Sequence, residues 1–337
     1  MQQKYFRRIA IIATMLALFV IVLGAYVRLS DAGLGCPDWP DCYGHLTVPE
    51  AEQHVSQANE AYPERPVEAA KAWKEMIHRY FASTLGLLII AMAFVGWKNK
   101  RITGQQFRLP LFLVGLVILQ GLLGMWTVTI KLNPTIVMLH LIGGMTTLSL
   151  LWWVTLRQSR MFIPASSYPT QLRPFSGLAV IGLMIVAFQI MLGGWTSANY
   201  AALACSDFPA CQGSLIPATD FGEAFNLWRG TQMNFEGGAL DNTARVTIHF
   251  VHRLGALVTL IFIGWFGLKL IFGSDVLVLN KLGKILLFVL AIQISLGIAN
   301  VIYSLPLFVA IAHNGVGALL LLTMVTINHA VRLPSHI

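Results

Sequence analysis

Eight apolar runs constrain this chain more than any other feature of its sequence. A helix that crosses the hydrocarbon core of a bilayer needs about 20 apolar residues. Runs of that kind occupy roughly residues 9–28, 76–97, 109–130, 135–156, 175–197, 246–271, 283–303 and 307–331. Only 11% of the 337 residues are charged, against about 25% in a typical soluble domain. The sequence therefore predicts an all-α polytopic membrane protein with eight transmembrane helices, and it excludes a soluble enzyme, a secreted disulfide scaffold and a disordered chain.

The basic residues predict how the chain sits in the bilayer. They concentrate at the N-terminus and in one alternate set of connections, which holds a single acid, Asp275. Because cytoplasmic loops of membrane proteins carry an excess of Lys and Arg, we expect both termini in the cytoplasm and two long loops, roughly 29–74 and 198–245, outside. The net charge of +8 follows from this distribution, so no nucleic-acid partner is expected. The first run is too long for a signal peptide and is expected to be a retained helix.

The chain repeats itself at an offset of about 170 residues, a feature that decides architecture. The polar landmarks of the first copy recur in the second as Leu23-Gly24 and Leu192-Gly193, Cys36…Cys42 and Cys205…Cys211, His78-Arg79 and His252-Arg253, Gln120-x-x-Leu123-Gly124 and Gln293-x-x-Leu296-Gly297, and His140 and His313. We therefore expect two pseudo-symmetric four-helix bundles of the same orientation, residues 1–160 and 161–337, related by an axis along the membrane normal.

Five of the nine histidines fall within or at the ends of the apolar runs, where ionisable groups are costly and usually functional. The repeat gives each half one His on each of two helices at similar depth, His78 with His140 and His252 with His313. Two His from facing helices of a bundle can bind haem iron from both sides. The alternative to haem binding is that each His only forms a hydrogen bond to a neighbouring helix. Zinc needs a tighter cluster with Cys, Asp or Glu, and copper favours Met or Cys beside His.

The two halves differ three residues before the first His, where Glu75 stands in one and His249 in the other. Residues three apart share a helix face, so each should lie beside its haem. A carboxylate there can stabilise a cation, accept a proton or act as a nucleophile, whereas a helix-start Glu only complements the helix dipole. The difference predicts chemistry in the first half and electron transfer in the second. Arg79 and Arg253 are candidates for binding haem propionates, or else snorkel to the headgroups.

All four cysteines lie in the two long outer loops, as matched pairs with five residues between the two cysteines of each pair. The outer side of a bacterial membrane is oxidising, so we predict disulfides Cys36–Cys42 and Cys205–Cys211. Nearby prolines favour tight turns, which would fold each loop over the mouth of its bundle. The pairs either staple the loops or, for the first pair, take part in redox chemistry or haem handling.

Taken together, these residues make the chain resemble the haem A synthase family over nearly its whole length. The resemblance is carried by the eight spans in two halves and by Glu75-Met76-Ile77-His78-Arg79, His140 with Gly143 and Gly144, His252-Arg253, His313 and the two Cys pairs. No one of these motifs is specific alone, but the combination is.

The resemblance implies an oxidoreductase that converts the C8 methyl group of its substrate, haem O, to a formyl group, giving haem A for cytochrome oxidase. It implies a haem b cofactor between His252 and His313, the substrate haem between His78 and His140, and Glu75 in catalysis, with no assigned role for His249. The lack of an Arg- and Ser-rich transit segment favours a bacterial inner membrane over a mitochondrial precursor, and the Cys loops are then expected to be periplasmic. Haem O synthase and cytochrome oxidase assembly factors are candidate partners, and the electron donor is unidentified.

Two other functions fit part of the pattern. A di-haem b-type electron-transfer cytochrome would share the paired histidines, but such proteins often place their haems at different depths. A haem carrier or chaperone without turnover would need no carboxylate at position 75. The sequence leaves open whether oxygen or water supplies the aldehyde oxygen.

Overall fold

The architecture is entirely helical through the part of the chain that the structure, a computed structural model, describes: residues 2–101, 107–159, 169–231 and 233–332. The helices are α1 (Gln2–Leu29), α2 (Glu52–Ala61), α3 (Ala69–Lys98), α4 (Arg108–Thr129), α5 (Pro134–Ser159), α6 (Pro169–Ala198), α7 (Phe221–Ala224), α8 (Asn242–Phe272), α9 (Leu277–Ile302) and α10 (Leu307–Val331). All except α2 and α7 are long and apolar enough to cross a membrane. The predicted all-α fold with eight spans is confirmed.

Several spanning helices begin earlier than their apolar runs. Helix α3 begins at Ala69 instead of residue 76, and α8 begins at Asn242 instead of residue 246. The added turn of α3 is rich in Ala and Lys, which are strong helix formers that need no apolar surroundings. As a result Glu75 lies well inside α3 and is only 5% exposed, so it is not a helix-start residue.

The spanning helices form two rings of neighbours. In the first, α1 and α4 each pack against both α3 and α5; in the second, α6 and α9 each pack against both α8 and α10. The rings meet where α1 contacts α10 and where α5 contacts α6 and α10. This pattern is consistent with two four-helix units. The predicted boundary between them, at residues 160 and 161, lies outside the described residues.

The repeat extends to the backbone of the tight turns. Lys131 and Leu132 join α4 to α5 with φ of 45° and 60°, and Ser304 and Leu305 join α9 to α10 with φ of 55° and 61°. Two consecutive residues in the left-handed region reverse the chain within one turn, and the second donates its N–H back to the preceding helix. Each turn thus aligns its two helices antiparallel.

The large buried side chains gather toward one end of the molecule. We call the end that carries the two disulfide loops the loop end. Most of the fully buried large side chains lie toward the opposite end, namely Phe6, Ile89, Met92, Leu113, Leu148, Leu151, Leu156, Leu172, Ile263 and Phe266. Most of them belong to one hydrophobic cluster that joins the two rings. The four paired histidines lie nearer the loop end, and each is only partly buried.

Candidate functional site

Each of the four paired histidines lies against a glycine of a neighbouring helix. In the first ring, a β-carbon added to Gly24 of α1 would lie 3.1 Å from Cε1 of His78 in α3. In the second ring, the same addition to Gly193 of α6 would lie 3.2 Å from Cε1 of His252 in α8. Real β-carbons rarely come so close to another atom, so glycine is what lets the imidazole approach the helix backbone.

The partner histidines are seated in the same way. A β-carbon on Gly124 of α4 would lie 3.5 Å from Cε1 of His140 in α5. On Gly297 of α9 it would lie 3.1 Å from Cε1 of His313 in α10. Each histidine thus faces a glycine of a neighbouring helix, closely at three positions and at ordinary van der Waals distance at Gly124.

The paired imidazoles suit a bis-His haem. The histidines of each pair lie on two helices that share both of their neighbours, α3 and α5 in the first ring of helices and α8 and α10 in the second. Nδ1 of His78, His140 and His313 is buried and makes no hydrogen bond to the described residues. The backbone of Gln120 in α4 interacts with His140, and that of Gln293 in α9 interacts with His313. His78 is the one of the three without such a neighbour in the described chain, and a buried nitrogen left unpaired is uncommon unless a ligand orients its ring.

His252 has a different surrounding. Nε2 of Gln189 in α6 lies 3.1 Å from Nδ1 of His252 and 3.0 Å from the backbone oxygen of the same residue. On the other side of the pair, Nε2 of Gln293 lies 3.4 Å from Nε2 of His313. The second pair of histidines therefore has polar side-chain neighbours on both helices.

Glu75 and His249 occupy equivalent places and face the outer loops in the same way. Oε2 of Glu75 accepts the backbone N–H of Cys36 at 3.0 Å, and Oε1 lies 2.6 Å from Nη2 of Arg79. Nδ1 of His249 lies 3.2 Å from the backbone nitrogen of Cys205, and its Nε2 lies 3.3 Å from Nε of Arg253. A neutral imidazole carries a proton on one of its nitrogens, so His249 accepts a hydrogen bond at only one of these two contacts. The position thus faces a loop N–H and an arginine in both halves, but only the carboxylate can accept from both of them.

The two arginines anchor the disulfide loops. Arg79 donates to the backbone oxygens of Asp38, Pro40 and Asp41. Arg253 donates to those of Cys205, Asp207 and Ala210. Neither guanidinium reaches away from the protein as a snorkelling side chain would. Their predicted propionate binding stays a prediction.

Both predicted disulfides, Cys36–Cys42 and Cys205–Cys211, are formed. Each loop is closed by an aspartate that accepts two backbone N–H groups. In the second loop these are the N–H of Gln212, at 2.6 Å, and of Gly213, at 2.8 Å, which bind Asp207. They hold the pKa of this exposed carboxyl below its usual value, with Gly213 the larger cause.

The described residues contain no group of three or more His, Cys, Asp or Glu side chains placed to hold a metal ion directly. Ligation by two histidines, with the remaining bonds supplied by the ring of a macrocycle, needs no such group.

Residues 7–325 match the family described as cytochrome oxidase assembly protein. The chain belongs to this family. It is 46% identical to the heme A synthase of Shewanella oneidensis, over 98% of this chain and 96% of that protein. It is 26% identical to the heme A synthase of Chelativorans sp. over 93% of this chain and 88% of that protein, and 28% identical to that of Mesorhizobium japonicum over 91% and 85%. The family likeness therefore covers both rings.

Sequence reasoning missed the glycines that seat the histidines, and it missed Gln189. Gly24, Gly124, Gly193 and Gly297 were visible as landmarks of the repeat, but nothing in one dimension connects them with a histidine on another helix. Gln189 carried no signal of its own, because its counterpart in the first half is Val20.

Proposed function

We propose that this chain is a haem A synthase, an integral membrane oxidoreductase that converts the C8 methyl group of haem O to a formyl group and so provides haem A for cytochrome oxidase. One observation carries the proposal: two glycine-seated pairs of histidines repeat across the molecule, and only one pair has a buried carboxylate beside it. The 46% identity to the Shewanella heme A synthase over nearly the whole of both chains supports it.

The two halves divide the work. His78 and His140 hold the substrate haem in the N-terminal unit, residues 1–160, and His252 and His313 hold haem b in the C-terminal unit, residues 161–337. When bound, haem b supplies one-electron transfer, for which full ligation by protein is suited because no position is open to oxygen. All four histidines are partly exposed, so a ligand can reach them.

Glu75 supplies the chemistry that the second half lacks. It is the only Asp or Glu within the eight spanning helices as the structure describes them. It lies one helical turn from His78, and Arg79 and the N–H of Cys36 fix both of its oxygens. A carboxylate fixed beside the substrate stabilises positive charge developing on the methyl carbon and can accept a proton as the carbon gains oxygen. It serves this purpose whether the oxygen comes from dioxygen or from water.

We place the enzyme in a bacterial inner membrane with both termini cytoplasmic and the disulfide loops periplasmic. The excess of Lys and Arg in one set of connections supports this orientation, and the two disulfides suit an oxidising compartment. Haem O synthase, which must supply the substrate, and cytochrome oxidase assembly factors are the proposed partners.

The test is the haem content of protein made together with a haem O synthase and purified in detergent. Extraction, chromatography and pyridine haemochrome spectra should give haem b together with haem O or haem A. Haem b in both sites would overturn the proposal in favour of an electron-transfer cytochrome, and protein free of haem despite adequate supply would overturn the ligand assignment.

Single-ligand variants sharpen this test. His78→Ala should lose haem O and haem A while keeping haem b, and His252→Ala should lose haem b. The opposite pattern would reverse the assignment of the two sites.

A further inference from the structure

The two halves differ at one buried contact beside the first histidine of each pair. In the second half the amide of Gln189 reaches His252 from α6. At the repeat offset that aligns Gly24 with Gly193, the equivalent residue of α1 is Val20, which has no group able to form a hydrogen bond. The difference therefore concerns the surroundings of Nδ1 of the imidazole.

The second half is built to accommodate this amide. A β-carbon on Gly255 would lie only 2.2 Å from Oε1 of Gln189, so any larger residue there would displace the amide. The counterpart of Gly255 in the first half is Phe81, whose ring packs edge-on against Phe19 at a centroid distance of 4.9 Å. Gly255 and Gln189 thus form a matched pair that the first half replaces by two apolar side chains.

The chemistry of an iron-bound imidazole gives the contact its meaning. When Nε2 binds iron, Nδ1 carries the remaining proton, and an acceptor for that proton fixes the ring and strengthens it as a ligand. Oxygen and nitrogen of a Gln amide exchange places by a half-turn. Oε1 of Gln189 is buried and has no partner among the described residues. The half-turn brings Oε1 to Nδ1–H of His252 and exchanges the donation from Nε2 to the backbone oxygen of His252 for this hydrogen bond.

His78 has no equivalent support. Its Nδ1 is buried and forms no hydrogen bond within the described chain, and Val20 cannot provide one. An imidazole without an acceptor on Nδ1 is a weaker and more mobile ligand.

We infer that Gln189 is a positioning residue that makes His252 a permanent haem ligand, and that its absence from the first half leaves His78 a ligand that can release its haem. The inference rests on the proposed function, in which the second haem is a resident cofactor and the first is a substrate that must leave as product. A single repeated scaffold thereby acquires one fixed and one exchangeable site.

The test uses full-length protein loaded with haem and the variant Gln189→Met, which removes both amide contacts at similar volume. Phe188→Leu, at the neighbouring position 58% exposed on the outside of α6, is the matched control. We expect Gln189→Met to lose haem b to excess apomyoglobin roughly tenfold faster or more. We expect its haem b reduction potential to rise, because the oxidised iron loses electron donation from a hydrogen-bonded imidazole. Phe188→Leu should match the wild type in both measurements.

A transplant tests the other half of the inference. Val20→Gln combined with Phe81→Gly rebuilds the amide and its space beside His78, with Phe81→Gly alone as control. The double variant should retain the haem of the first site longer than the single variant does. The double variant and its control are compared as purified proteins by their rates of haem release, so the comparison does not depend on turnover.

The outcomes separate the two proposals. Haem b retention and potential unchanged in Gln189→Met would overturn this inference and leave the proposed function standing. A wild-type preparation without haem b in its second half would overturn the proposed function itself. If Gln189→Met fails to accumulate, Gln189→Glu replaces it: a lowered potential supports the inference, and an unchanged or raised one overturns it.

Discussion

Glu75 performs two tasks with one side chain. It holds the first disulfide loop through the N–H of Cys36 and through Arg79, and it places a carboxylate one turn from His78. His249 faces the matching partners, Cys205 and Arg253, but a neutral imidazole can accept a hydrogen bond from only one of them, whereas the carboxylate of Glu75 accepts from both. The charge is therefore what distinguishes the first site.

Glu75→Gln separates the two tasks. Glutamine keeps the size and can still accept the N–H of Cys36, so the protein should fold and bind haem O, while formation of haem A falls by a factor of about 100 or more. Conversion of haem O is measured by chromatography of extracted haem. His249→Gln, the equivalent change in the second half, should retain turnover. Wild-type haem A yields in Glu75→Gln would contradict the catalytic role and favour a carrier.

Tyr43 is the residue of the first loop whose titration reports on its packing. Its hydroxyl donates to the backbone oxygens of Arg65 and Pro66, and burial raises its pKa to about 12. A pKa above the ordinary value of 10 means that the folded loop favours the neutral phenol. The stability that this provides is complete below pH 10 and is lost as the pH rises toward 12.

The difference in tyrosinate absorbance between wild type and Tyr43→Phe, recorded after a rapid jump in pH, should show one group ionising near pH 12. Tyr43→Phe should also loosen the loop by about 1 kcal/mol, measured by its rate of proteolysis. A difference titration centred near pH 10 would contradict the burial of this hydroxyl.

At the scale of the helices, the important contacts are between a histidine imidazole on one helix and a glycine on another. A β-carbon added to Gly297 would lie only 3.1 Å from Cε1 of His313. The two helices therefore approach closely at this histidine. The same helix pair in the first half, α4 with α5, is slightly more open, at 3.5 Å between Gly124 and His140.

Gly297→Ala should therefore lower haem b occupancy several-fold, because the added methyl group displaces the ring of His313 by a few tenths of an ångström. Gly121→Ala, whose β-carbon would meet nothing within 4 Å, is the control and should gain a little helix stability. Occupancy is measured by the ratio of haem to protein absorbance. Equal occupancy in the two variants would contradict a close seat for His313.

The sequence predicted the helices well because eight apolar runs and a repeat are long, redundant signals. It predicted the second span from residue 76, which left open a helix-start position for Glu75, whereas the helix begins at Ala69 and includes Lys71 and Lys74, which need no bilayer. It also could not reveal that Arg79 binds loop carbonyls, since backbone oxygens are the same at every position. Contacts of Gln189 and of the glycines depend on how helices distant in sequence pack, which periodicity does not determine.

At the scale of the whole molecule, Arg28 at the end of α1 links the two halves. It donates to the backbone oxygens of Ser197 and Ala198, and its guanidinium lies 4.0 Å from the centre of the Tyr200 ring. In the repeat, Ser197 occupies the position in the second half that Arg28 occupies in the first. The contact therefore joins equivalent places of the two units. A second link runs between the outer loops, where Arg65 pairs with Glu236.

Arg28→Met should lower the thermal stability of the detergent-purified protein by roughly 1–3 kcal/mol while both haem sites stay loaded. Lys74→Met is the control, because Lys74 lies over Tyr26 within the first half only and its loss should cost less. Thermal midpoints are read from the haem spectrum and from tryptophan fluorescence. A larger loss in Lys74→Met than in Arg28→Met would contradict a link across the halves.

The uneven distribution of large buried side chains has a consequence for biogenesis. The cluster that joins the halves lies toward the end away from the disulfide loops and consists of side chains alone, so the helices can assemble before any haem reaches them. We expect haem-starved cells to accumulate inserted, folded apoprotein that acquires both haems later without unfolding. Loading then becomes a step of maturation separate from membrane insertion, and the supply of haem sets the fraction of competent enzyme instead of the amount of protein made.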